Sequence, residues 1–324
     1  MKIDVHAHIL DRDYVEALVA LKGLTAQAGD RGQTLLRQDK TTYLWYRDEM
    51  FDVDDRLHQM DAKGIDVRLL SLSTPSVYDW EGAEQVDAAR RINDATARMV
   101  RGHPDRFGGI GTLPWGGSAE HALEELERMT GELALVGVAV GSNIGGTTLD
   151  DPELEPIWAR INALRLPVFE HPMFPVNTAS MDAFELPLRV GFVFDTTLAL
   201  TRMIYAGVFE RYPDFPYIVA HTGGALLTIL ERLDNGYRLF PDCREKITRL
   251  PSEYARRLYY DTCSFYGPAL RMALEIVGPD QLLWGTDDPF IGADDSHVQA
   301  LEIPDDEKSK IVGDNAATLF NLSR

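Results

Sequence analysis

The stretch MKIDVHAHIL, residues 1–10, decides the fold. Ile3, Val5, Ile9 and Leu10 make it a short buried strand close to the start of the chain, and the strand carries His6 and His8. Side chains two apart on a strand point to the same side, roughly 6–7 Å apart along the chain. From that spacing two imidazoles lean onto one ion, about 2.0–2.1 Å from each nitrogen. With 8 histidines in 324 residues, roughly 0.2 such pairs arise by chance, so the pair gains meaning only from what the rest of the chain adds.

Beyond this strand comes a polar and aromatic stretch, about residues 11–50, with little sustained periodicity. An insertion after a strand's C-terminal end is where a barrel enzyme builds a pocket wall or lid. Tyr43, Trp45, Tyr46 and Arg47 there are candidates to meet a flat or anionic substrate. A helical run spans Asp52 to Lys63, and from Asp66 the chain alternates regularly. Apolar strands are expected at Val67–Ser73, Phe107–Leu113, Leu135–Val140, Leu166–Phe169, Tyr217–Ala220, Leu258–Tyr260 and Leu282–Trp284. Between them lie amphipathic segments, the strongest over 83–101 with Val86, Ala89, Ile92, Ala95 and Met99 on one face. Helices are also expected from Ser118, from Asp151 to Leu164, over Thr196–Phe209, Ala225–Leu239 and 268–277. Two short helices separated by Gly313 close the chain.

Eight buried strands with mostly helical connections imply a parallel sheet covered by helices. No glycine-rich phosphate turn follows an early strand, which disfavours the open doubly wound sheet. The expected fold is an α/β (β/α)8 TIM barrel, one domain over 1–324 with the insertion after strand one.

Composition narrows the partners. The 45% hydrophobic content suffices for a large core, and no apolar run approaches a membrane span. A net charge of −19 disfavours nucleic acid and anionic membranes, so an anionic substrate needs a metal or specific arginines. Cys243 and Cys263 have no paired spacing, and the N-terminus lacks the regions of a signal peptide; a reducing cytoplasm is the expected location.

The polar residues fall at strand ends. His6 and His8 end strand one, His171 strand five and His221 strand six, while Asp287 follows strand eight. In a barrel those ends open on one face, so five candidate ligands from four strands converge on one mouth. The other histidines, His58, His103, His121 and His297, read as surface or structural. Glu170 is expected to point away from the mouth.

Together, His6-Ala7-His8, His171-Pro172, His221-Thr222-Gly223-Gly224 and Gly285-Thr286-Asp287-Asp288-Pro289-Phe290 resemble the amidohydrolase superfamily. More narrowly they resemble the amidohydrolase-related branch that contains 2-amino-3-carboxymuconate 6-semialdehyde decarboxylase. Met60–Val67, Gly207–Arg211, Arg232–Asn235 and Gly313–Ala317 extend the likeness nearly end to end. The resemblance implies one divalent metal, zinc first and manganese second, on His6, His8, His171 and Asp287. It implies His221 as general base and acid beside a water whose pKa the metal lowers, with Asp287 sharing in the proton transfer. Asp288, where relatives carry an aromatic residue, is read as the neighbour of the ligand rather than the ligand.

The branch holds nonoxidative decarboxylases with some hydrolases and hydratases. The implied activity is decarboxylation of a small aromatic or conjugated carboxylic acid; hydrolysis or hydration of an amide, lactone or enol acid uses the same ligands. A silent barrel is disfavoured because ligands and base are all present. The resemblance also implies a homodimer, with Arg232 reaching the neighbouring subunit's site to grip a carboxylate. Arg47 and Phe290 complete the substrate-binding candidates. The arginine expected in the insertion falls at Leu44 and the tryptophan expected after strand five at Leu188. These departures point to a substrate other than the branch's named semialdehyde.

Overall fold

The computed structural model describes residues 1–322. Eight parallel strands form one sheet in chain order: β1 (Ile3–Ile9), β5 (Val67–Leu72), β6 (Phe107–Thr112), β7 (Gly137–Gly141), β8 (Val168–His171), β9 (Tyr217–Val219), β10 (Tyr259–Asp261) and β11 (Leu282–Leu283). The last strand returns to the first: Val5 N donates to Trp284 O at 3.0 Å and Asp287 N to His6 O at 2.8 Å. The sheet is therefore a nearly closed barrel, as the alternating pattern required.

Val5, Leu69, Ile110, Ala139, Phe169, Ile218 and Leu283, from seven different strands, meet in one buried cluster inside the barrel. Ala316 and Phe320, on and just after the terminal helix α13 (Asn315–Leu319), seal it. A second, larger cluster holds Ala7, Ile9, Leu70 and Leu72 against the surrounding helices. Strand β1 thus changes sides along its length. Its register with β5 shifts between Asp4 and Ala7, where β1 carries one residue more than its partner. A bulge of this kind reverses the inward set: Ile3 and Val5 face the barrel interior below, and His6 and His8 face it above.

The helices follow the apolar faces. Helix α3 (Gly82–Gly102) buries Val86, Ala89, Ile92 and Ala95. Helix α2 (Val53–Lys63) is capped by Asp52, whose carboxylate accepts from Asp54 N and Asp55 N, and α4 (Ala119–Gly131) by Ser118. Such caps satisfy amide donors that the first helical turn leaves unpaired.

Four expectations need correction. The stretch 11–50 is ordered secondary structure: α1 (Arg12–Lys22), then an antiparallel sheet of β2 (Thr25–Ala28), β3 (Thr34–Gln38) and β4 (Thr41–Tyr46). All four residues of β2 are exposed, so no apolar alternation marks it. Helix α6 (Phe192–Tyr205) begins before Thr196, entered through a wide turn over Pro187–Gly191, and breaks before α7 (Val208–Arg211). The segment after His221 winds through short 3-10 turns, and α8 (Leu230–Leu239) starts only at Leu230. Gly313 does not separate two helices; it lies within a wide helical turn, where a side chain would collide with the Met1 carbonyl.

Candidate metal centre

Four imidazoles and a carboxylate meet at the C-terminal mouth, delivered by three local devices. The β1 bulge turns His6 and His8 inward and brings their Nε2 atoms to 3.1 Å. His171 is the last residue of β8 and its ring centroid lies 4.7 Å from that of His8. Asp287 Oδ1 is 3.5 Å from both His6 Nε2 and His8 Nε2. His221 Nε2 faces the other oxygen, Oδ2, at 3.7 Å. Donor atoms of His6, His171, His221 and Asp287 all lie within 4.8 Å of one another.

Backbone strain places the last two. Asp287 has φ of 54°, and His221 and Thr222 have φ of 54° and 56°. Residues other than glycine rarely adopt this left-handed region, and such strain concentrates at functional sites. At Gly285 a Cβ would press on His6 Cβ and Cys263 Sγ, so only glycine lets this loop approach β1 closely enough to close the barrel.

The far nitrogens of the rings are already occupied. His6 Nδ1 is 2.5 Å from Asp261 Oδ2, His8 Nδ1 is 3.2 Å from Ser71 Oγ, and His171 Nδ1 is 3.1 Å from the Pro172 carbonyl. A proton on Nδ1 that donates to such an oxygen leaves the Nε2 lone pair free toward the shared centre. Electrostatics agree. Burial draws the His8 imidazole below its usual value, and burial with the neighbouring imidazoles draws His171 well below. Burial acts the same way on His6, but the Asp261 carboxylate outweighs it and raises that ring. Burial works to raise Asp287, yet the facing imidazoles of His221 and His8 hold its carboxyl well below the usual range. The lowered His8 and His171 imidazoles and the charged Asp287 carboxylate, with the His6 ring held by Asp261, make a donor set that fits one divalent cation.

Asp261 was not among the sequence candidates. Its signal was present, a carboxylate ending the apolar strand β10 on the same rim as the histidines. It accepts from Thr222 N at 3.0 Å and Cys263 N at 2.9 Å besides binding His6. Glu170 points away, as expected; the Tyr217 hydroxyl donates to it at 2.9 Å, and burial pushes its carboxyl up to about 8. Asp288 also turns from the centre, 3.0 Å from Arg68 Nη1.

An aromatic wall stands over the donors. The Phe290 ring lies 5.7 Å from His8 and 5.6 Å from Trp45. Tyr43 stacks on Phe174 at 5.1 Å, and Phe174 meets Phe192. Alternation along β4 puts Tyr43 and Trp45 on this side and buried Leu44 on the other, paired with Leu36. Glu185 fastens the insertion here, accepting from Thr42 N at 3.0 Å and Arg37 Nη2 at 3.1 Å. Of the two arginines, Arg47 sits with its guanidinium 5.4 Å from the Trp45 ring, at the edge of this wall. Arg232 is exposed on α8 and, among the described residues, forms no ion pair with Asp287, whose partners are His6, His8 and His221. His297 is half-buried, with Nε2 2.9 Å from Thr262 Oγ1.

The sequence model of the amidohydrolase family matches residues 3–322. The chain belongs to that family. It is 30% identical to 2-amino-3-carboxymuconate-6-semialdehyde decarboxylase of Dictyostelium discoideum, covering 99% of this chain and 92% of that protein. Gamma-resorcylate decarboxylase of Rhodococcus jostii is also 30% identical, over 85% of this chain and 89% of its own. The crystal structure of 5-carboxyvanillate decarboxylase from Sphingomonas paucimobilis superposes with a TM-score of 0.87 at 28% identity, covering 99% of each chain. A dihydroxybenzoic acid decarboxylase from Polaromonas, solved with manganese and the inhibitor 2-nitroresorcinol, gives 0.79 at 25% identity over 100% of this chain and 97% of its own.

Proposed function

We propose that this amidohydrolase is a metal-dependent nonoxidative decarboxylase of a small aromatic or conjugated carboxylic acid. The observation that carries the reading is the gathering of His6, His8, His171, His221 and Asp287 at one mouth beneath an aromatic wall, in a chain whose relatives are decarboxylases of such acids. His6, His8, His171 and Asp287 are assigned as the metal ligands. Zinc is assigned first because three imidazoles and one carboxylate suit it, and manganese is the competitor on the strength of the Polaromonas structure. When bound, the cation supplies a fixed positive charge that orients and polarises substrate oxygens.

His221 is assigned as the proton carrier. Its side chain is 24% exposed, while those of His6 and His8 are fully buried, so it faces the open side where substrate enters. Asp287 Oδ2 beside it stabilises the imidazolium. His221 delivers a proton to the ring carbon bearing the carboxylate; the bond to that carboxylate then breaks, its electron pair returns to the ring, and carbon dioxide leaves. Phe290, with Trp45, is assigned to flank the substrate ring, and Arg47, beside Trp45, is assigned to meet a substrate anion.

The whole of 1–324 is assigned to one domain, with the insertion serving as the pocket wall. We assign a homodimer in which Arg232 serves the neighbouring copy's site. Exposed Phe194 and Leu198, one turn apart on α6, supply an apolar face for such contact. A reducing cytoplasm accords with the two free thiols; no helix among the described residues is long and apolar enough to cross a membrane.

Incubation of the metal-loaded protein with a panel of hydroxybenzoates and conjugated dicarboxylates tests the reading. Release of carbon dioxide in step with substrate loss is expected. Turnover of lactones or amides with no carbon dioxide from any acid would overturn it.

A further inference from the structure

Behind the mouth, between the barrel wall and α2, lie four buried charges that the reaction above does not use. Asp4 of β1, Arg68 of β5, Asp288 of the closing loop and Arg56 of α2 are each less than 5% exposed. Arg68 Nε is 3.1 Å from Asp4 Oδ2, and its Nη1 is 3.0 Å from Asp288 Oδ2. Arg56 Nη1 lies 3.5 Å from the same Asp288 oxygen. Charge balances within the quartet. Its hydrogen bonding does not: Arg68 Nη1 and Nη2 and Asp288 Oδ2 lack an aligned partner among the described residues. Buried ion pairs seldom add stability over a hydrophobic cluster of equal volume, because desolvation offsets their attraction. Holding the barrel together is thus a poor account of why four charges sit here.

What the quartet touches gives a better one. Asp4 Oδ1 accepts from the His6 amide at 3.2 Å and from the Thr286 amide at 3.0 Å. Arg56 Nη1 donates to the His8 carbonyl at 2.8 Å. The Asp288 carbonyl accepts from the His8 amide at 2.6 Å, and its side chain is pinned one residue after strained Asp287. Three of the four assigned ligands are therefore gripped through their own or adjacent backbone.

We propose that Asp288 and Arg56, within this quartet, are positioning residues that fix His8 and Asp287 at metal-binding geometry from the outer side of the barrel. This rests on the ligand assignment above. Asp288 cannot itself reach the cation, because its side chain is turned to Arg68. It acts by anchoring the backbone on which Asp287 turns inward. Arg56 does the same for His8 through a single carbonyl.

The test strips wild type, Asp288→Asn, Arg56→Met, Arg56→Lys and His171→Ala with a chelator and titrates each with zinc or manganese alone by calorimetry. Circular dichroism and thermal melts of the metal-free forms run alongside. Asp288→Asn and Arg56→Met are expected to bind metal about 10–100-fold more weakly, the usual effect of removing an outer partner, with unchanged metal-free spectra. Arg56→Lys, which still donates to the His8 carbonyl, is expected to recover part of the loss. In turnover, kcat is expected to fall more than KM rises. Wild-type affinity in both Asp288→Asn and Arg56→Met would overturn the proposal, and if Asp288→Asn does not fold, Arg56→Met decides alone, since it leaves the Arg68–Asp288 pair in place. Wild-type affinity in His171→Ala would instead overturn the ligand assignment, so the two failures are told apart.

Discussion

Asp287 and Asp288 are adjacent in the chain and opposite in surroundings. Asp287 faces three imidazoles across a shared point, its charge unmatched by any arginine among the described residues. Asp288 faces two arginines behind the barrel wall and belongs to a group whose charges cancel. One face of the loop after β11 is thus an incomplete electrostatic arrangement that a cation completes, and the other is already complete. Incompleteness marks where chemistry occurs, whereas a balanced buried network marks what holds it in place.

The contrast breaks most sharply if substitutions on the two faces give the same phenotype. Asp287→Ala is expected to lose the metal, from about one ion per chain to a small residue, and turnover with it; elemental analysis of purified protein checks this. His221→Ala should retain the ion while turnover falls about 10²–10⁴-fold, the usual range for a lost general acid or base. Loss of the ion in that variant would make His221 a ligand. On the outer face, Asp288→Ala leaves buried guanidinium groups without their carboxylate, and a cost of about 3–5 kcal/mol in chemical denaturation is expected.

Removal of metal from the wild type should lower stability by about 2.7 kcal/mol relative to protein held at a hundredfold excess over Kd. Because imidazole ligands bind metal only when neutral, occupancy should fall as pH drops below the histidine range; calorimetric titrations from pH 8 to 5 measure this. The smallest effect concerns the wall. Trp45→Ala removes the ring against Phe290 and is expected to raise KM severalfold with little change in metal content, a ring contact being worth about 0.5–1.5 kcal/mol.

Much of the fold was legible because burial imposes simple periods. The barrel strands read as apolar runs and α3 as a single stripe, and their boundaries in the structure differ by a few residues. The insertion was not legible: β2 is exposed throughout, and its strands are defined by hairpin pairing rather than by an apolar face. The helices around His221 and α6 deviated where loops bend to serve the mouth. The role of Asp261 is not legible locally because its partner His6 lies 255 residues away, nor is the outer quartet, because Asp4 and Arg68 look like interruptions within apolar strands.

By itself the sequence determined the barrel, the face on which its polar strand ends gather, and a set of candidate donors there, His6, His8, His171, His221 and Asp287. Those follow from local rules: side chains alternate along a strand, parallel strands share one C-terminal rim, and imidazole and carboxylate are metal donors. Only the tertiary structure decided which way each donor turns. The bulge in β1 reverses the inward set at His6, positive φ angles aim His221 and Asp287, and the pairing of Asp288 with Arg68 settles which of two neighbouring carboxylates faces the site. Orientation of this kind depends on contacts between residues dozens to hundreds of positions apart, and no local pattern in the chain encodes it.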